Sequence, residues 1–279
     1  MRYQIIGDSS TDTTPELETL LEIRKAPLSV RVGETHFLDV PDLNVNEMLR
    51  TIEQSTQGAS SAAPAPQDYL NCLEGTKEGA FIITLSSKLS GSYNSAMLAK
   101  QMFEEEHPGI KVHVVDSKSA SIAQTLLAVK LKDYMDEGLA FDDIVEKIED
   151  FRKTVHLKFV LDSLDTFVKN GRLGKLAGMA ATLLHIKAVL GDDGEGEIGI
   201  FGKKRTFPKA LSLVAQTVID SPEPTENRDL FISYCCAYER AVSLKEQICA
   251  HRQFRHVYLV PMAGLSSTYA SRGGIICAV

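Results

Sequence analysis

Four serines crowd the stretch FIITLSSKLSGSYNSAMLAK, residues 81–100: Ser86, Ser87, Ser90 and Ser92. They stand between an apolar run and an amphipathic segment, where a strand would end and a helix begin. Hydroxyls donate hydrogen bonds, and a helix N-terminus adds free N–H groups and a partial positive charge. That chemistry suits a carboxylate or a phosphate. Similar clusters occur at Asp8-Ser9-Ser10, Ser60-Ser61 and Asp116-Ser117. Any one of these serines also reads as an ordinary N-cap. Together they read as a site for something negative.

The elements that must position them alternate. YQIIGD reads as a strand, and Thr14-Pro15-Glu16 as an N-cap, a first-turn proline and an acidic first turn. Further strands are expected at 80–87 and 110–117. Helices are expected at 92–106, 121–138 and 141–155. Strands separated by helices of this length form βαβ units, with a parallel sheet and ligand loops at the strands' carboxyl ends. The biased stretch GASSAAPAPQ (58–67) reads as a loop entering a helix.

After about residue 157 the texture changes. A short strand leads into helical stretches broken at Gly171. HIKAVLGDDGEGEIGIFGKKRTF reads as a β-hairpin, and its acidic turn lacks the spacing of a calcium loop. A helix (207–220), a strand (229–236), a helix (238–250), a strand (256–262) and a last strand in GGIICAV follow. The expected fold class is α/β in two domains, 1–157 and 158–279, with a ligand cleft between them.

The totals exclude several classes. The chain has 279 residues, 44% of them apolar, enough to fill cores. Its net charge of −7 argues against nucleic acid and against a polybasic membrane surface. No apolar run reaches the roughly 18–20 residues of a membrane span. The opening MRYQIIGDSSTD lacks a signal peptide's apolar core, so a cytoplasmic protein is expected. Five scattered cysteines without a C-x-x-C pair read as small hydrophobes rather than as disulfides or zinc ligands. There is no G-x-S-x-G elbow, no Walker A loop and no H-E-x-x-H. No catalytic residue, cofactor or metal is expected.

IIGDSSTDTTPEL, LDVPDLN, ITLSSKLSGSYNSA, VHVVDSKSAS, LDSLDTFVKNGRL and IKAVLGDDGEGEIGIFGKKRT occur in this order over nearly the whole chain. In these stretches the sequence resembles the DegV family, bacterial fatty-acid-binding proteins that include the FakB subunits of fatty acid kinase. The resemblance implies a three-layer α/β/α domain with a parallel sheet and a second, two-layer α/β domain with a mixed sheet. A long-chain fatty acid would lie between them, its carboxylate among hydroxyls. A separate ATP-dependent kinase subunit would phosphorylate that carboxylate, and the protein itself would be no enzyme. A transient membrane contact fits this role.

Carried over position by position, the family's carboxylate-binding serine is Ser90, followed by Gly91. Its threonine in a T-S-Q-P loop is Ser61, with Ala63 at the glutamine. Its G-x-H-x-G-P-G segment falls on Gly264 to Ala270, so Ser266 stands where a histidine is usual. Ser267 and Thr268 lie beside it. Ser92, Arg172, Lys204, Arg205 and Arg272 are candidates for head-group or kinase contacts. For the basic group at Lys203 to Arg205, a solvated hairpin end is the equal alternative. Two other functions stay open. One is a serine-dependent esterase or acyltransferase, which needs a base near Ser90. The other is a small-molecule substrate subunit similar to that of dihydroxyacetone kinase.

Overall fold

A computed structural model describes residues 2–179 and 186–279. The end of the helical stretch expected after Gly171 lies outside the described residues. In chain order the strands are β1 (Gln4–Asp8), β2 (Arg24–Ala26), β3 (Ser29–Val32), β4 (Thr35–Leu38), β5 (Ala59–Ala62), β6 (Gly79–Thr84) and β7 (Lys111–Asp116). The second half adds β8 (Leu157–Val160), β9 (Lys187–Asp192), β10 (Ile198–Lys204), β11 (Asp229–Tyr234), β12 (His256–Pro261) and β13 (Ile275–Ala278).

The first sheet has the order β2-β1-β6-β7 and is parallel throughout. Every residue of β6 is buried, as expected for a central parallel strand covered on both faces. Helices Pro66–Leu73 and Ser92–Glu106 cover one face. Pro15–Leu21, Ile122–Asp136 and Phe141–Arg152 cover the other. Thr14 caps the first helix, its hydroxyl accepting from the Leu17 N–H at 3.3 Å.

The second sheet is mixed, with the order β10-β9-β8-β13-β11-β12; only β11 and β12 run parallel. Helices Phe207–Ile219 and Tyr238–Cys249 bury its outer face. Its inner face meets Ile122–Asp136, which also packs on the first sheet. That helix is apolar around most of its circumference because both sides are buried. One hydrophobic core therefore runs from Ile5 and Phe81 to Phe159 and Phe231. The chain passes from one sheet to the other between Arg152 and Leu157.

A third, antiparallel sheet, β4-β3-β5, corrects the expectation for residues 58–67. Ala59–Ala62 is a strand, with Val30 opposite Ser61 and Ser29 opposite Ala62. Small polar residues carry little intrinsic strand preference, and pairing with a distant strand overrides it.

The expected hairpin joins β9 and β10. Asp193 organises its turn, one carboxylate oxygen accepting from the N–H groups of Glu195 and Glu197 at 2.9 Å each. The turn reaches the serine knot: Ser86 Oγ donates to the Gly196 carbonyl at 2.7 Å. Gly196 has φ +93, and a Cβ there would stand 2.6 Å from Ser86 Oγ, so both backbone and contact demand glycine.

Candidate ligand-binding site

The carboxyl ends of β1, β6 and β7 converge, as the parallel arrangement requires. Asp8, Ser9, Ser10, Ser86, Ser92 and Ser117 are buried there. Asp116 accepts from the Ser87 hydroxyl at 2.6 Å and from the Ser87 N–H at 3.0 Å, which pins the knot to the neighbouring strand end. Beside this edge, a cavity with about 990 Å³ of empty space, its mouth included, opens between the two large sheets and the small one.

Its walls are mostly apolar. Leu28, Leu85 and Leu89 come from the amino-terminal half, and Leu157, Phe159, Leu161, Phe167, Ile198 and Ile276 from the other. The inward residues of β8 alternate, Leu157 and Phe159, as strand geometry dictates. Phe159 and Phe167 stack with ring centres 6.1 Å apart, and Phe167 meets Tyr269 at 4.9 Å. An aromatic row thus leads to a polar end.

Ser61, Ser90, Gly91 and Ser266 all line this one cavity, and so does Arg172. Ser61 reaches it from β5 rather than from a loop at the edge of the parallel sheet. Its hydroxyl lies 3.0 Å from the Tyr269 hydroxyl. Ser90 Oγ accepts from the Ser92 N–H at 3.2 Å and shares a hydrogen bond with Ser92 Oγ at 2.9 Å. Ser92 is fully buried behind Ser90 and does not line the cavity. Arg172 is held at the mouth by the carbonyls of Asn170 (2.5 Å) and Leu89 (3.3 Å). It also borders a shallow outer groove containing Lys88, Ser90 and Gly91.

The other basic candidates lie elsewhere. Lys204 and Arg205 are exposed beyond the cavity. Arg272 is drawn into a separate cluster, pairing with Glu53 at 2.9 Å and donating to the Asn46 side chain at 2.9 Å. Of the two neighbours of Ser266, Ser267 donates to the Met262 carbonyl (3.1 Å) and Thr268 to that of Gly264 (2.8 Å). Both hydroxyls are committed to their own helix and its approach.

Three buried carboxylates back the polar end. Asp8 accepts from Ser10 Oγ (2.6 Å), Gln124 Nε2 (3.0 Å) and the Leu85 N–H (2.7 Å). Burial pushes its proton affinity up, and these donors, with Ser92, oppose the rise. Asp39 accepts from the Gly264 and Leu265 N–H groups (2.7 and 2.9 Å) and from Ser9 Oγ (2.9 Å). Its pKa is likewise raised by burial. Asp12 accepts from Ser121 Oγ (2.5 Å) and the Ala263 N–H (2.8 Å). Burial lifts it to about 6 against the hydroxyls of Ser121 and Ser266 and the Ala263 N–H.

Asp12 and Asp39 thus occupy the N-terminus of the Gly264–Ala270 helix. The donors at this helix end, which the sequence analysis did not anticipate, are already satisfied by the protein. What remains for a ligand is the helix face carrying Ser266 and Tyr269, three residues apart and therefore neighbours. Ser121 also lines the cavity, held at φ +58 and ψ −132, a conformation costly for a residue with a Cβ.

The motif pattern does not reveal Tyr269, Ser121, Asp12 or Asp39. Only the i, i+3 relation to Ser266 could have found Tyr269. Among the described residues, no histidine lines the cavity and no group of three or more His, Cys, Asp or Glu could hold a metal ion. All five cysteines are free. No helix among the described residues is long and apolar enough to cross a membrane.

The model of the DegV family, described as uncharacterised proteins, matches residues 2–277. A DegV domain-containing protein of Streptococcus pneumoniae is 34% identical over 287 residues, covering 99% of this chain and 98% of that protein. A solved DegV family structure from Ruminococcus gnavus, refined with vaccenic acid, has a TM-score of 0.95 at 34% identity over 100% of both chains. The Streptococcus pneumoniae Fatty Acid Kinase B3 protein, loaded with linoleic acid, has a TM-score of 0.90 at 32% identity, covering 100% of this chain and 99% of that one. With a family match over nearly its whole length and the same arrangement of a parallel and a mixed sheet, the chain belongs to the DegV family.

Proposed function

We propose that this protein binds one long-chain fatty acid and presents its carboxyl group to a separate, ATP-dependent kinase subunit. The observation that carries the reading is a cavity walled mostly by apolar side chains and lined as well by the hydroxyls of Ser61, Ser90, Ser266 and Tyr269. Burying about a dozen methylenes at roughly 0.8 kcal/mol each yields about 10 kcal/mol before the costs of association. The carboxyl group fixes orientation through Ser61, Ser90, Ser266, Tyr269 and the backbone at Gly91. Arg172, at the mouth, is the cation placed for a head group or a kinase. The cleft lies between two domains, 1–157 and 158–279.

The fatty acids named for the Ruminococcus gnavus and Streptococcus pneumoniae structures support the ligand class. The second of those proteins supports the kinase. The serine-enzyme reading has less behind it. Among the described residues, the hydrogen-bond partners of the Ser90 hydroxyl are the hydroxyl and N–H of Ser92, and a serine nucleophile needs a base.

Purified protein should release about one fatty acid per chain on denaturation and solvent extraction, read by mass spectrometry. It should also take up added oleate or palmitate after delipidation. Absence of both would end the carrier reading. Turnover of p-nitrophenyl acyl esters that disappears in Ser90→Ala would replace it with the enzyme reading. Phosphorylation of bound oleate by ATP and a fatty acid kinase subunit tests the presentation step.

A further inference from the structure

A second set of hydroxyls lines the cavity. Ser10, Ser119 and Ser121 reach it from the loops that follow β1 and β7, and each of them is nine-tenths or more buried. Their protons set them apart from Ser61 and Tyr269. Those two hydroxyls share one bond at 3.0 Å, so one of their two protons stays free for an anion. Ser10 Oγ instead lies 2.6 Å from Asp8 Oδ1 and 2.5 Å from Gln124 Oε1, two acceptors for its single proton, with Gln124 Nε2 turned to Asp8 at 3.0 Å. Ser121 Oγ gives its proton to Asp12 at 2.5 Å. Both oxygens have only lone pairs left for the cavity, with the acidic groups of Asp8 and Asp12 behind them. A carboxylate gains nothing from these oxygens, whereas a donor does. Ser119 is the opposite case. Its N–H donates to Ser117 Oγ at 3.1 Å, and its carbonyl accepts from the Ser86 N–H at 2.9 Å. The backbone is fixed, yet the side-chain hydroxyl is buried without a hydrogen-bond partner among the described residues. A stranded hydroxyl is costly, and this one belongs to the cavity wall.

We propose that the cavity takes an acyl chain that carries a hydroxyl group along its length, received by Ser119 and by Ser10 or Ser121. The inference rests on the fatty-acid reading of the cavity and names a narrower ligand class within it. A hydroxyl is a small group that both accepts and donates. It takes the proton of Ser119 and gives its own to the oxygen of Ser10 or Ser121. A methylene at the same place answers neither. An oxo group accepts from Ser119 but sets a further acceptor against the two lone-pair oxygens. Against Leu28, Leu85, Leu157 and Ile276 alone, a chain hydroxyl would be buried without a partner and disfavoured. The serines turn that penalty into a preference at the chain position that reaches them.

Competition binding to delipidated protein compares octadecanoate with the positional series of hydroxyoctadecanoates, from the 2-hydroxy to the 17-hydroxy acid. One position, or two adjacent ones, should bind at least as tightly as octadecanoate. The other positions inside the chain should fall roughly tenfold or more, the penalty of a hydroxyl buried alone. In Ser119→Ala the favoured hydroxy acid should lose about tenfold relative to octadecanoate. The oxo acid of the favoured position should bind more weakly than the hydroxy acid. A penalty of equal size at every position overturns the proposal and leaves the fatty-acid reading standing; wild-type protein alone decides this if the variant does not fold. A preference that survives in Ser119→Ala overturns the assignment to this residue. Equal binding of hydroxy and oxo acid overturns the roles of Ser10 and Ser121. Failure of octadecanoate and of every derivative to bind overturns the cavity reading and the proposal with it.

Discussion

The hydroxyl of Ser61 lies 3.0 Å from that of Tyr269, although 208 residues separate them in sequence. The contact joins the edge strand of the small sheet to the helix that carries Ser266. It closes the polar end of the cavity from two sides, and the Tyr269 ring simultaneously packs on Phe167.

Tyr269→Phe keeps that ring contact and removes one donor. Affinity for a free fatty acid should fall by about 1–3 kcal/mol, the range for a lost bond to a charged group. The loss for the matching alcohol should be smaller. Competition binding against a fluorescent fatty acid reads both, and equal losses would make Tyr269 a wall residue only.

Ser90→Ala should cost a similar amount for the acid, about 1–3 kcal/mol, and less for the methyl ester. Ser90 and Tyr269 stand on separate elements with different partners, Ser92 and Ser61. If both hold one carboxylate, the double variant should lose less than the sum of the singles. Strict additivity in a double-mutant cycle counts against a shared ligand group.

The Asp39 carboxylate accepts three hydrogen bonds, two of them from the first N–H groups of the Gly264–Ala270 helix. Asp39→Ala should destabilise the fold by about 2–3 kcal/mol through the lost cap and stranded donors. Ligand affinity should fall as well, since that helix bears Ser266 and Tyr269. Urea denaturation of delipidated protein gives the first figure. A change below about 0.5 kcal/mol, the range of an ordinary surface substitution, refutes the clamp.

Asp12 is fully buried and has a folded pKa of about 6, above its ordinary 3.8. The native state then binds more protons than the unfolded chain between about pH 4 and 6. By linkage this group makes stability fall as pH rises through that window. The shift corresponds to about 3 kcal/mol, as an order of magnitude. Asp8 and Asp39 are raised too and act in the same direction. Asp162, held below its usual range by Lys187 and Arg240 despite partial burial, acts oppositely, and only as pH falls below about 4. Unfolding free energies of wild type and Asp12→Asn at pH 5 and 7 should therefore differ in their pH slope. Parallel slopes would rule out a raised Asp12.

Much of the fold was legible because its signals are local. Thr14-Pro15 marks a helix start through a bond to Leu17 three residues on. The run GAFIIT declares a strand buried on both faces, and GDDGEG a turn in which Gly194 and Gly196 have φ +84 and +93. The order of short motifs along the chain sufficed for the family, and the family for the expectation that Ser61, Ser90 and Ser266 share a site. Tertiary structure decided what those groups can do. Ala59–Ala62 became a strand only because Ser29–Val32 stood ready to pair with it. Arg272 left the candidate site because Glu53 and Asn46 lay closer. The helix N-terminus at Gly264 was lost to any ligand because Asp12 and Asp39, distant in sequence, reached it first. A donor can serve one acceptor at a time, and which acceptor arrives is settled by long-range packing that no local pattern encodes.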